Sequence, residues 1–385
     1  MKATVCVSAK GAARWSQGHP WIYRSDVRRD HAEAGLVRVV DGRGRFLGQA
    51  LYSPKSEIRL RLLEPRDQPV DVGWWRERLR RCVARRHDLD ATAFRVVHAE
   101  GDGLPSLVVD RYDRWIVAMM LSAGLEALRS TVLEALIDVL EPSGVLLRHD
   151  APVRKQEGLP SEIVAVFGNV PETIEVREGA IRYLAAPWTG QKTGAFLDQR
   201  PNRLLAAQLS RSGATALDCF SYHGSFALHM AHEGAAVTAL DTSREALARG
   251  RENAALNGIA GVIWLERDAF EALRSFDRER RRFDIIVLDP PAFAKTKTSV
   301  PQALRGYKEI NLRALRLLTP GGTLLTASCS YHVRRPEFLA MLQEAAANSG
   351  RRCTLSRFLG QGPDHPEVLT IPETGYLKGA VVTVD

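Results

Sequence analysis

The sequence predicts an α/β protein in which a small β-rich module and a small mixed module precede a larger domain on a parallel sheet. Three observations predict this. From about Gly190 onward, short apolar runs alternate regularly with amphipathic stretches of helical period, the pattern of a parallel sheet covered by helices on both faces. The first 75 residues are instead short apolar or alternating runs broken by glycine turns. The length of 385 residues exceeds what one hydrophobic core ordinarily organises, and fits two or three domains.

In the first module, Val37 to Val40, Phe46 to Tyr52 and Ile58 to Leu63 read as strands, with Asp41-Gly42 and Gly44 turning between the first two. Trp74 to Arg86 reads as a helix, because Trp75, Leu79, Cys82 and Val83 recur at helical spacing. Its arginines (Arg76, Arg78, Arg80, Arg81, Arg85 and Arg86) are expected on a solvated face. In the second module, Phe94 to Val97, Leu107 to Val109 and Trp115 to Leu121 read as strands. Leu125 to Leu140 reads as an amphipathic helix ended by Pro142 and Gly144. Val145 to Leu147, Ile163 to Val166 and Ile181 to Leu184 complete that module.

In the third part, Thr215 to Phe220, Ala236 to Leu240, Val262 to Leu265, Phe283 to Leu288 and Thr323 to Ala327 are expected strands. Gly224 to Glu233, Arg244 to Asn257, Pro301 to Leu318 and Pro336 to Asn348 are expected helices. Leu377 to Val384, interrupted by Lys378-Gly379, is expected as a final edge strand. The expected divisions are therefore residues 1–75, 76–188 and 189–385.

No apolar run approaches the roughly 20 residues that span a bilayer, and the first ten residues lack a signal-peptide core. The reading is a soluble cytoplasmic protein with no membrane partner. The five cysteines (Cys6, Cys82, Cys219, Cys329 and Cys353) form no C-x-x-C pair, so neither a zinc site nor a disulfide framework is expected. Residues 1–80 carry 16 Lys and Arg against 9 Asp and Glu, a net of +7 out of +8 for the chain. A basic module on a nearly neutral body points to a polyanionic partner.

The chemistry is expected at strand ends, where ligands meet open α/β sheets. Asp218-Cys219-Phe220-Ser221-Tyr222-His223-Gly224-Ser225 ends a strand, turns through Gly224 and opens a helix, so backbone can approach a ligand closely. Only one glycine of the dinucleotide pattern G-x-G-x-x-G is present. An acid at the strand end favours a cationic ligand over a phosphate. The next strand ends in Asp241, where a carboxylate would bond ribose hydroxyls, and the one after leads to Asp268, placed for an adenine edge. Acid, glycine turn, ribose acid and adenine acid in this order fit S-adenosylmethionine better than a nicotinamide dinucleotide. Taken singly, each Asp could equally be a turn former or a helix N-cap.

Two further strand ends carry Asp289-Pro290-Pro291 and Ser328-Cys329-Ser330. The prolines stiffen the first loop and withdraw backbone donors. Cytosine C5 is a poor nucleophile, but a thiolate adding at C6 converts the ring to an enamine that attacks a methyl sulfonium. Cys329 would supply that thiolate, and Asp289 would hold the exocyclic amine and N3. In amino-group methyltransferases an aromatic residue directly follows the prolines; here Ala292 does, and Phe293 stands one place later.

On these residues the chain resembles the bacterial RlmI-like 23S rRNA cytosine-5 methyltransferases. The resemblance covers essentially the whole chain. It includes Gly18-His19-Pro20-Trp21, Glu100-Gly101-Asp102-Gly103-Leu104-Pro105, the run Lys192 to Arg200, Phe220-Ser221-Tyr222 and Asp364-His365-Pro366, besides the two strand-end motifs. It implies an N-terminal PUA RNA-binding domain, a small α/β middle domain and a C-terminal Rossmann-like class I methyltransferase domain. It implies S-adenosyl-L-methionine as cofactor and 23S rRNA, or the assembling large ribosomal subunit, as partner. A homodimer is compatible with it, although no apolar stripe demands one.

By the same resemblance Cys329 is the nucleophile and Asp289 its catalytic companion. Asp218, Phe220, Ser221, Gly224, Asp241 and Asp268 match cofactor-binding positions, with Thr242, Ser243 and Ala269 beside the acids and Asp289 shared. Thr193, Phe196, Gln199 and Arg200 would wall the cofactor and target pocket. Ser225 departs from the family's second glycine. Lys and Arg of the basic module would contact phosphate. Trp15, Trp21 and Tyr23 could stack on unpaired bases, with core packing the alternative for Trp21. Lys295 and Lys297 could touch the target strand. Two alternatives remain beside the cytosine-5 reading: amino-group methylation of a base with Asp289 as acceptor, and a noncatalytic RNA-binding or ribosome-assembly factor.

Overall fold

The computed structural model describes residues 3–29 and 33–385. The chain forms two compact units. The first comprises Met1–Val176, Ala185–Leu197 and Pro363–Thr374; the second comprises Arg177–Leu184, Asp198–Gly362 and Gly375–Asp385.

The first unit holds two sheets. The six-stranded sheet runs in the order Trp21–Tyr23, Ile58–Glu64, Phe46–Tyr52, Gly35–Val40, Thr4–Val7, Val27–Arg29. Val5, Val7, Ile22, Val37, Val39 and Leu60 fill its core. The strand Thr4–Val7 and the helix Ala9–Ser16 were not expected. The helix starts where Ser8 Oγ accepts the Gly11 N–H at 3.1 Å. It carries Trp15 into the core, where the indole N–H donates to Pro20 O at 3.0 Å. Trp15 is thereby a core residue and not a stacking platform. Trp21 is half-buried, with its indole N–H on Glu100 Oε1 at 2.9 Å, and Tyr23 lies under the Arg14 guanidinium at 4.7 Å.

The five-stranded sheet runs Glu162–Gly168, Gly144–His149, Trp115–Met120, Leu107–Tyr112, Ala93–His98. The helices Val72–Ala84 and Arg129–Leu140 share its core through Trp75, Leu79, Val132 and Leu136. The single helix expected over Leu125 to Leu140 is broken into Ala123–Glu126 and Arg129–Leu140. Ser122 caps the short piece by accepting from Leu125 N–H. Gly124 sits so close to the Phe46–Tyr52 strand that a Cβ would lie 2.7 Å from Tyr52 N, which fixes this turn before the longer helix starts.

The arginines expected on a solvated helix face divide. Arg80 and Arg81 are exposed, Arg76 pairs with Glu134 at 3.1 Å, and Arg86 is buried with its guanidinium 2.6 Å from Asp102. Glu126, His149 and Glu162 converge nearby. Arg129 and Arg154 neutralise the two acids, and the Met120 N–H donates to His149 Nε2.

Ile174–Glu178 and Ile181–Ala185 pair as a two-stranded hairpin, of which Arg177–Leu184 belongs to the second unit. The second unit is a seven-stranded sheet in the order Ile263–Glu266, Ala236–Asp241, Thr215–Cys219, Phe283–Leu288, Leu318–Ser328, Lys378–Val384, Cys353–Leu359. The first five strands are parallel, and the last two run antiparallel to their neighbours. Alternation along the strands divides the core between the faces. Ile286, Leu288 and Leu324 join helices Ala269–Arg278, Val300–Leu317 and Arg335–Ser349. Ile285, Val287 and Leu325 join helices Arg200–Leu209 and Ser225–His232.

One expectation is corrected. Lys378–Val384 is not an edge strand. It pairs on both sides, and the edge is Cys353–Leu359. Residues 354–358 of that edge are exposed on both faces, so the alternation that marks a half-buried strand is missing. No helix among the described residues is long and apolar enough to cross a membrane.

Candidate active site

Thr215–Cys219 and Phe283–Leu288 are neighbours, and the strand order runs outward from them in opposite directions. This is a topological switch point, where a crevice opens at the carboxyl ends of the strands. Asp218, Asp241, Asp289 and Cys329 all stand at carboxyl ends of this sheet. Register aligns Cys219 with Leu240 on one side and with Leu288 on the other, and Leu288 with Thr326.

The turn after Asp218 is unusual in its backbone. Phe220 and Tyr222 both adopt the left-handed region, at φ +62° and +50°, and Gly224 follows at φ +80°. Non-glycine residues held there cost energy and concentrate at functional sites. The surroundings enforce the shape. Ser221 N–H donates to Leu240 O at 3.0 Å and Gly224 N–H to Ser221 O at 2.8 Å, while Tyr222 N–H donates to Asp241 Oδ2 at 2.9 Å. A Cβ on Gly224 would fall 2.4 Å from the Trp264 ring, so glycine is required twice, for φ and for space.

Asp218 is buried. One carboxylate oxygen accepts the Ala227 N–H at 3.0 Å, and Oδ1 is buried without a hydrogen-bond partner, as is Ser221 Oγ. Burial pushes Asp218 well above the usual carboxylate range; the Ala227 N–H opposes, and Asp289 and Asp241 push further upward. Asp241 accepts from Tyr222 N–H and, at 2.8 Å, from Ser243 N–H. Ser243 caps the helix Arg244–Leu256 through Ala246 N–H, and Thr242 beside it is exposed. Asp268 caps the helix Ala269–Arg278 through Glu271 N–H at 3.0 Å, and Ala269 is buried.

Asp289 is half-buried. Its Oδ1 accepts from Gln199 Nε2 at 2.7 Å, and Gln199 Oε1 in turn accepts from Asn202 at 2.5 Å. Cys329 Sγ lies 3.9 Å from Pro290 O, so the thiol and the Asp289-Pro290-Pro291 loop meet. The residues on either side of Cys329 are tied down. Ser328 Oγ donates to the Tyr307 hydroxyl at 2.9 Å, that hydroxyl is 2.9 Å from Ser330 Oγ, and Ala294 N–H donates to Ser330 Oγ at 3.1 Å. Phe293 packs on Tyr307, Phe270 and Phe220 at ring distances of 4.5, 5.8 and 6.3 Å. Lys295 and Lys297 are exposed in the loop that follows.

The expected wall segment divides. Gln199 and Arg200 are buried in the second unit, whereas Thr193 and Phe196 belong to the first. There the Thr193 hydroxyl donates to Asp110 and stands 2.9 Å from the Tyr112 hydroxyl. Lys192 Nζ lies 4.7 Å above the Phe196 ring. Tyr307 and Lys378, which the sequence does not single out for the site, both contact the Ser328-Cys329-Ser330 turn. Lys378 stands out in the sequence only as a lysine within an apolar run.

These residues fit S-adenosylmethionine. Two buried oxygens, Asp218 Oδ1 and Ser221 Oγ, await donors or a positive charge, since a buried polar group left unpaired costs free energy. Asp289 and Asp241 both act against ionisation of the buried Asp218, which favours a cation there, and the sulfonium and ammonium of that cofactor are cationic.

Comparison with known proteins agrees. A family model for S-adenosylmethionine-dependent methyltransferases matches residues 123–378, and one for a PUA-like domain matches residues 5–65. A protein of Shewanella frigidimarina named ribosomal RNA large subunit methyltransferase I is 37% identical over 379 residues, covering 95% of each chain. Its namesake in Alteromonas mediterranea is 36% identical over 395 positions, covering 100% of this chain and 99% of its own. Among solved structures, a SAM-dependent methyltransferase from Streptococcus mutans superposes with a TM-score of 0.83 at 20% identity, over 99% of this chain and 100% of its own. A methyltransferase complexed with SAH gives 0.84 at 21%, with the same coverage; both likenesses concern the fold. The chain belongs to the S-adenosylmethionine-dependent methyltransferase family and, within it, to the group whose curated members are named ribosomal RNA large subunit methyltransferase I.

Proposed function

We propose that the protein methylates C5 of a cytidine in 23S rRNA through a transient bond between Cys329 Sγ and C6 of the base. The observation that carries this reading is the meeting of Cys329 with the Asp289-Pro290-Pro291 loop, Sγ 3.9 Å from Pro290 O. The two motifs end neighbouring parallel strands beside the switch point. The family relationship supports rRNA of the large subunit as substrate, and the basic N-terminal residues suit phosphate contact.

In this reading the target base is unstacked to enter the site. The Cys329 thiolate adds to C6, and the electron pair moves through the ring to make C5 nucleophilic. Asp289, held by Gln199, binds the exocyclic amine and N3 edge and favours the N3-protonated adduct. S-adenosylmethionine, when bound, supplies the electrophilic methyl group. Loss of the C5 proton then re-forms the C5–C6 double bond and expels the Cys329 thiolate. Asp218, Ser221, Asp241 and Asp268 are the residues proposed to hold the cofactor's charged and polar groups.

The test is methyl transfer from radiolabelled S-adenosylmethionine to unmodified large-subunit rRNA by wild type and Cys329→Ala, followed by nucleoside analysis. Label in 5-methylcytidine that disappears in the variant is expected. Label in another nucleoside, or undiminished label in Cys329→Ala, would overturn the covalent mechanism.

A further inference from the structure

Lysine is almost never fully buried without a partner. Lys378 is 4% exposed, and its Cα is paired in register with Ser328, next to the thiol residue. Its Nζ donates to Ser330 O at 2.5 Å and to Tyr376 O at 2.9 Å. Both acceptors are neutral carbonyls. Ser330 O also accepts the Val333 N–H at 3.1 Å. The lysine thus closes one side of the Ser328-Cys329-Ser330 turn, and the Tyr307 hydroxyl closes the other.

We propose that Lys378 is a positioning residue for Cys329: anchored on Ser330 and Tyr376, its nitrogen fixes the turn and supplies the positive charge that keeps the thiol as thiolate. The proposal rests on the reading of Cys329 as the nucleophile. Thiolate with ammonium differs from thiol with amine by one proton moved from Sγ to Nζ, so the pair carries no net charge in either form. A buried charge needs such compensation. Cys329, Arg335 and Glu337 are the charged groups that bear on Lys378. Burial lowers the lysine to about 8; the Cys329 thiolate opposes this, Arg335 adds to it, and Glu337 opposes it. Tyr307, on the helix packed against the same turn, feels Cys329 as well.

The experiment follows carbamidomethylation of Cys329 by iodoacetamide, site-resolved by mass spectrometry, from pH 6 to 10. It uses the full chain as wild type, Lys378→Met and Lys378→Arg. In Lys378→Met the midpoint should rise by about one pH unit, roughly a tenfold slower reaction at pH 7, and Lys378→Arg should bring it back. An unchanged profile in a Lys378→Met protein that melts like wild type overturns the proposal. Should that variant fail to fold, the Lys378 titration read by carbon NMR in Cys329→Ala decides. Its midpoint should fall once the thiolate is gone, and an unmoved midpoint overturns the proposal. Methyl transfer by Cys329→Ala tests the nucleophile separately, so the two failures are distinguishable.

Discussion

Asp218→Asn separates the cofactor reading from a purely structural role for the acid series. The asparagine keeps an oxygen for the Ala227 N–H, which Asp218 accepts at 3.0 Å, and replaces the partnerless Oδ1 by an NH2. Two effects of opposite sign should follow. A hydrogen bond to a charged group is worth about 1.5–3 kcal/mol, so affinity for S-adenosylmethionine should fall about 10- to 100-fold at a factor of ten per 1.4 kcal/mol. The cofactor-free protein should become more stable, because the buried charge beside Asp289 and Asp241 is removed.

The sign of that gain is fixed by linkage. The folded state raises the pKa of Asp218, so ionisation costs more in the folded chain than in the unfolded one. The cost is absent below the unfolded value near 3.9 and grows as pH rises toward the folded value. The stabilisation by Asn should therefore be nil near pH 4 and largest at neutral and alkaline pH. Titration calorimetry with the cofactor and urea unfolding at several pH values read the two effects. An Asp218→Asn protein with wild-type affinity and unchanged stability at neutral pH would refute the reasoning.

Three further outcomes are expected. Gly224→Ala should cost about 2–4 kcal/mol, the sum of left-handed backbone strain and a Cβ forced onto Trp264, read by thermal melting. Glu178 and Arg203 form a buried pair at 2.6 and 2.5 Å, so Glu178→Gln should lose about 3–5 kcal/mol in urea unfolding by leaving the guanidinium uncompensated. Burial acts to raise Glu64, but bonds from Arg66, Trp74 and Arg78 prevail and hold it at about 2. That stability is present above about 4.5 and drains as pH falls toward 2, and Glu64→Gln should flatten the acid limb of a stability–pH curve.

Much of the second unit is legible because its strands are apolar runs and its chemistry stands where the runs stop. That rule points to Asp218, Asp241, Asp289 and Cys329, and the structure places all four at carboxyl ends of strands of one sheet. What was not legible depends on contacts between distant residues. Cys353–Leu359 buries too little on either face to show a period. The interior place of Lys378–Val384 follows only from pairing with that strand and with Leu318–Ser328. Trp15 reads as a stacking residue in the sequence, and only the unforeseen helix carries it into the core. Pro363–Thr374 belongs to the first unit although the residues on both sides belong to the second, an arrangement without a local signature.

The acid at the end of the Asp218 strand also explains why the crevice suits a cation, although many related sheets bind phosphate there. A helix N-terminus offers unpaired N–H groups and a positive dipole end, a ready anion site. Here the helix Ser225–His232 opens at Gly224, and one of its first N–H groups, that of Ala227, is taken by Asp218 itself. The chain's own carboxylate thus occupies the position a phosphate oxygen would need, and Asp241 and Asp289 add charge of the same sign. An arriving phosphate would meet repulsion from three acids. The unpartnered, buried Asp218 Oδ1 suits a positively charged group better than a phosphate.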